Sequence, residues 1–124
     1  MLRIFIADDS KFVRQGINTL LSDRDDWVIC GEAEDGEECV RKAIKLRPDL
    51  LLVDVHMPGL SGYNVATVLR RELPRTKILM MSAEESGIFL AGALRAGADK
   101  CIDKSRLGID LLPIILGYLR SQAA

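Results

Sequence analysis

Asp49-Leu50-Leu51-Leu52-Val53-Asp54-Val55-His56-Met57-Pro58-Gly59-Leu60-Ser61-Gly62 decides the fold. Leu50 to Val53 is a continuous apolar run, the pattern of a strand buried on both faces. It ends on a carboxylate, and the turn residues Pro58 and Gly59 follow at once. Asp54 is therefore expected where a buried strand meets solvent. In open parallel α/β sheets this carboxyl edge is where ligands bind, because the sheet holds the roots of loops that are free to diverge.

Working outward, the same pattern recurs. Leu2 to Ala7 runs into Asp8-Asp9-Ser10, Trp27 to Cys30 forms a second short strand, Lys77 to Met81 stops on Ser82-Ala83, and Ala98 to Ile102 ends at Asp103-Lys104-Ser105. Helical spacing fills the gaps. Phe12, Val13, Ile17, Leu20 and Leu21 form the first stripe, with Asp9 or Ser10 as N-cap. Asp35 to Glu38 opens the second helix, which Val40, Ala43, Ile44 and Leu46 bury and Pro48 stops. Val65, Val68, Leu69 and Leu73 face inward from the third helix, which ends at Pro74. Glu84 and Glu85 lie next to the start of a fourth, slim helix (Ala91, Leu94, Ala96), and Gly97 suits its left-handed C-terminal cap. The last helix is expected to begin near Leu107 to Leu111, which places Pro113 in a first turn. Five strands alternating with five helices require parallel strands and right-handed crossovers. The expected fold is a doubly wound α/β domain, one five-stranded parallel sheet of order 2-1-3-4-5, with residues 1–124 as a single domain.

Composition narrows the function. Hydrophobic residues at 48% and charged residues at 28% describe an ordinary globular protein, and the net charge of −1 offers no footprint for direct nucleic-acid binding. No run is long enough to span a membrane, and Met1 leads straight into a strand, so a cytoplasmic protein is expected. Cys30, Cys39 and Cys101 lack paired spacing or an accompanying His and read as reduced, mostly buried apolar residues.

The predicted order places Asp8-Asp9, Asp54, Ser82 and Lys104 on one edge. Three carboxylates that close repel and raise one another's pKa unless a cation holds them. Ligands that are all oxygen suit Mg²⁺, which leaves positions for water and a phosphoryl oxygen. Ser82 supplies a hydrogen bond and Lys104 a positive charge, as a phosphoryl group on Asp54 requires. Each residue alone has a plainer reading: Asp9 as a cap, Ser82 as a loop hydroxyl, Lys104 as a solvated charge. Their joint placement points to the site.

Asp8-Asp9, Asp54-x-x-Met57-Pro58-Gly59, Met81-Ser82-Ala83, and Gly97-Ala98 followed by Lys104 resemble the receiver domain of a bacterial two-component response regulator, over essentially the whole chain. The resemblance implies a flavodoxin-like fold and a non-enzymatic signalling role. It makes Asp54 the phosphoacceptor from a sensor histidine kinase's phosphohistidine. It further implies Mg²⁺ on Asp9, Asp54 and the His56 main-chain carbonyl, with Asp8 acting mainly through water, and Ser82 and Lys104 on the phosphoryl oxygens. Two positions depart from the family: Cys101 stands where an aromatic switch is usual, and Ser105 follows the lysine where Pro is common, so a trans peptide is expected.

Val13-Arg14-Gln15-Gly16 and Gly31-Glu32-Ala33 resemble the subgroup that carries a helix-turn-helix DNA-binding output domain, which these residues do not contain. His56 and Glu84 are expected to flank the phosphoryl group. The last helix, Leu111-Leu112-Pro113-Ile114-Ile115-Leu116-Gly117-Tyr118-Leu119, is apolar around much of its circumference. A second copy or an output domain is the expected partner of the face it forms with helix four and strand five. The alternatives are a degenerate receiver used for docking and an aspartyl-phosphate hydrolase, which would need a second carboxylate at His56. A phosphohistidine carrier would need His56 on a helix. A flavin module would need a phosphate loop in place of Asp8-Asp9.

Overall fold

The computed structural model describes residues 1–83 and 87–123. Its strands are β1 (Leu2–Ala7), β2 (Trp27–Ala33), β3 (Leu50–Asp54), β4 (Lys77–Ser82) and β5 (Lys100–Asp103). They form one parallel sheet of order β2-β1-β3-β4-β5, as the alternation predicts. Between and after them lie α1 (Lys11–Leu21), α2 (Gly36–Leu46), α3 (Gly62–Glu72), α4 (Gly87–Ala96) and α5 (Leu107–Ala123), with a 3₁₀ turn at Lys104–Arg106.

The sheet separates two apolar layers, and the period of two along each strand assigns side chains to them. Phe5, Leu51, Val53, Ile78 and Met80 pack under α2, α3 and α4 with Cys39, Val65, Leu69 and Phe89. Ile4, Ile6, Leu50, Leu52, Leu79 and Met81 pack under α1 and α5 with Ile17, Leu111 and Ile115. All five residues of β3 are buried. At roughly 1.5–3 kcal/mol for each large apolar side chain removed from water, this central strand anchors the carboxylate at its end.

Helix starts follow the caps in the sequence. Ser10, rather than Asp9, caps α1 by accepting from Val13 N, Asp35 caps α2 by accepting from Glu38 N, and Ser61 caps α3 by accepting from Asn64 N. Gly97 has φ +114, as its place after α4 requires, and its N–H donates to the Leu94 carbonyl. Arg47 ends α2 in the left-handed region at φ 50, a conformation unfavourable by about 1–2 kcal/mol for a residue with a Cβ. Arg3 offsets this by donating to the Leu46 and Arg47 carbonyls at 2.6 and 2.9 Å.

Several expectations need correction. Pro113 lies inside α5, the seventh residue from Leu107, rather than in a first turn. It is exposed, so its ring meets solvent rather than a neighbouring element. Phe12 is 84% exposed and Val68 37% exposed, although both fit the apolar spacing of their helices. β2 runs three residues beyond Cys30, pairing with β1 as far as Ala33, and an extra residue enters the ladder where Ile4 pairs with Ile29 and Phe5 with Gly31. β5 is shifted to Lys100–Asp103. No peptide is cis among the described residues, in line with the expectation for Ser105.

Candidate functional site

β1 and β3 are hydrogen-bonded neighbours, with Ala7 opposite Val53, so the residues that follow, Asp8 and Asp54, emerge side by side. Both are buried. Asp8 is held on several sides: its N–H donates to the Ala33 carbonyl at 3.0 Å, and its Oδ1 accepts from Ser10 N at 2.9 Å. Asp54 Oδ1 accepts from His56 N at 3.2 Å. Lys104, carried past the end of β5 by the 3₁₀ turn, places its Nζ 2.7 Å from Asp8 Oδ2 and 3.1 Å from Asp54 Oδ2. Asp9 is exposed at the rim, and one oxygen from each of Asp8, Asp9 and Asp54 lies within 4.8 Å of the others.

Burial shapes the titration of this group. Desolvation pushes the Asp54 carboxyl above the usual range, the His56 amide opposes it, the Asp8 charge adds to it, and Lys104 opposes it. For Lys104, desolvation acts to lower the ammonium's pKa, but Asp8 and Asp54 outweigh it and hold the pKa raised. With all groups ionised, three carboxylates and one ammonium leave two negative charges, which one divalent cation balances.

The residues fit such an ion on a second count. Asp8 Oδ2 is fully buried, with the Lys104 ammonium 2.7 Å away as its counter-charge. One ammonium shared between two buried carboxylates leaves buried negative charge uncompensated, and a hard cation with oxygen ligands would relieve it.

The sequence-predicted residues therefore separate into groups. Asp8, Asp9, Asp54 and Lys104 come together. Ser82 is buried at the end of β4, the strand beside β3, opposite Asp103 of β5. The His56 side chain is exposed while its amide contacts Asp54. Glu84 lies outside the described residues. Cys101 is half-buried against the α2–α3–α4 layer, and burial raises its thiol pKa, so it stays protonated and weakly nucleophilic near neutral pH.

Two supporting residues were not assigned from sequence. Gly62 begins α3 against β3: a Cβ there would clash with the Asp54 carbonyl oxygen and sit 2.7 Å from Val55 Cα. Its signal was the Ser61 cap just before it. The other is Arg14, whose guanidinium donates to the Asp8 carbonyl at 2.6 Å.

The model of the response regulator receiver domain matches residues 4–115, and the chain belongs to this family. It is 39% identical over 98 residues to the response regulator GacA of Pseudomonas viridiflava, covering 79% of the chain and 46% of that protein. It is 34% identical over 122 residues to the response regulator VraR of Staphylococcus aureus, covering 98% of the chain and 58% of that protein. The chain thus spans about half the length of these relatives. Among solved structures, the receiver domain of NarL from Mycobacterium tuberculosis superposes with a TM-score of 0.88 at 30% identity, covering 96% of each chain. No helix among the described residues is long and apolar enough to cross a membrane.

Proposed function

We propose that residues 1–124 form one phosphoacceptor domain that takes a phosphoryl group on Asp54 from the phosphohistidine of a sensor histidine kinase. The observation that carries this reading is Lys104 Nζ bridging Asp8 and Asp54 at the carboxyl edge of the sheet. An Asp54 carboxylate oxygen would form the new O–P bond. The donor's N–P bond would break, its electron pair staying on the imidazole nitrogen. Burial makes the Asp54 carboxylate a more basic, stronger nucleophile, while Lys104 offsets charge on the incoming oxygens.

Asp8, Asp9, Asp54 and the His56 main-chain carbonyl would hold Mg²⁺, which supplies positive charge to the phosphoryl oxygens in transfer. Ser82 would donate to one of those oxygens and pass its shift to the loop leading into α4. Because Cys101 replaces the usual aromatic, that shift would travel through backbone rather than through a rotating ring. The partners would be the kinase in the cytoplasm and, on the output side, a second copy or a DNA-binding domain outside these residues; the greater length of the relatives supports the latter.

Acetyl phosphate tests the reading without a kinase. Uptake of one acid-labile phosphoryl group, lost with a chelator and in Asp9→Asn, is the expected result. Uptake unchanged without divalent metal would overturn the metal's role. No uptake under any condition would leave a docking module instead.

A further inference from the structure

Val13-Arg14-Gln15-Gly16 and Gly31-Glu32-Ala33 are distant in sequence, yet the fold brings their charged residues together behind Asp8. Arg14 Nε donates to Glu32 Oε1 at 3.0 Å, and its Nη1 donates to the main-chain carbonyl of Asp8 at 2.6 Å. The Arg14 side chain is only 14% exposed. Glu32 is itself fixed: Asn18, one turn further along α1, donates to its Oε2 at 3.4 Å, and Lys42 from α2 donates to its carbonyl at 3.1 Å.

The Asp8 carbonyl lies just beyond the last residue of β1, where the strand ladder gives way to the turn into α1. The peptide bond is planar, so fixing this carbonyl also fixes the N and Cα of Asp9. Asp9 is the exposed member of the acidic trio. A guanidinium can span the carboxylate and the carbonyl with two nitrogens of one rigid plane, whereas a lysine ammonium cannot keep both in that geometry.

From this geometry we infer that Arg14, clamped by Glu32, is a positioning residue that sets the Asp8–Asp9 turn for divalent-metal binding. The inference rests on the metal site proposed above. It also makes a prediction opposite to that of simple electrostatics. Arg14 is a positive charge beside a cation site, so removing it should tighten metal binding if only charge mattered. If it positions the turn, removing it weakens binding.

Mn²⁺ binding to the full chain, read from loss of the free-ion electron paramagnetic resonance signal, separates the two. Arg14→Met is expected to bind Mn²⁺ about tenfold more weakly than wild type, the scale seen when outer-shell partners of metal ligands are lost. Arg14→Lys, which keeps the charge and most of the stem, should weaken binding in the same direction and serves if the Met variant does not fold. With acetyl phosphate, the metal concentration for half-maximal phosphorylation should rise while the rate at saturating metal recovers. Wild-type protein that binds no Mn²⁺ would overturn the metal site itself. Wild-type binding together with unchanged or tighter binding in the Arg14 variants would overturn the positioning role alone.

Discussion

Replacing Lys104 with Met keeps most of the stem and removes the one charge that lies 2.7 Å from Asp8 and 3.1 Å from Asp54. At an effective dielectric of about 20, each contact carries roughly 5–6 kcal/mol of gross attraction, most of it offset by the desolvation of the partners. What remains when one partner of a buried pair is deleted is about 3–5 kcal/mol. The Lys104 side chain is 20% exposed, and Asp54 escapes part of the penalty by taking up a proton, so the lower end, about 3 kcal/mol, is expected near neutral pH. The pH dependence has a definite sign. Without Lys104 the Asp54 carboxyl titrates still higher, the folded state binds protons more tightly than the unfolded chain, and stability falls as pH rises above the unfolded carboxyl value of about 4. The deficit should therefore be small at about pH 4 and full at neutrality. In wild type the raised Lys104 pKa contributes stability below its ordinary value of about 10.5, and this is lost as pH rises through the folded value. Urea unfolding in chelator across this range measures both. A neutral-pH loss below about 0.5 kcal/mol, or one that does not change with pH, would show that Lys104 does not neutralise buried carboxylates.

Other outcomes follow from particular positions. Gly62→Ala should lose about 1–3 kcal/mol, because its Cβ meets the backbone of β3 rather than a side chain that can move. Gly16→Ala in α1, with nothing near its Cβ, should gain about 0.5–1 kcal/mol; equal urea midpoints for the two variants would contradict both assignments. Exchanging His56 should change the rate of phosphoryl loss and leave Mn²⁺ affinity intact, since its side chain is exposed while only its amide touches Asp54. Beryllofluoride should increase self-association in sedimentation if the exposed apolar residues Leu90 and Leu94 of α4 and Ile109 of α5 meet a second copy, and identical profiles at high concentration would exclude that output.

Much of this was legible in the sequence because strong, redundant signals agreed. The uninterrupted Leu50–Val53 run fixed β3 at the centre, and the strand-terminal carboxylates and lysine then converged once the order was set. Where a single local signal stood alone, packing overrode it. Phe12 fits the apolar period of α1, yet in the first turn of that helix it stays exposed. Pro113 follows the steric rule for helix starts, but α5 absorbs it on an exposed face. The extra residue in β2 is invisible to an alternation count, since a bulge erases the period it would be read from. The Arg14–Glu32 pair could not be read from either motif alone, because it exists only after β2 is placed beside β1.

Everything proposed for this site turns on Asp54 being the residue that carries the phosphoryl group. Reductive trapping of the acetyl-phosphate-treated protein with borohydride, which converts an aspartyl phosphate to homoserine, followed by peptide mass spectrometry, locates the acceptor directly. Homoserine at position 54 alone, dependent on divalent metal and absent from Asp54→Asn, is the expected result. Trapped product at Asp8, Asp9 or any other carboxylate, or an undiminished yield in Asp54→Asn, would contradict it.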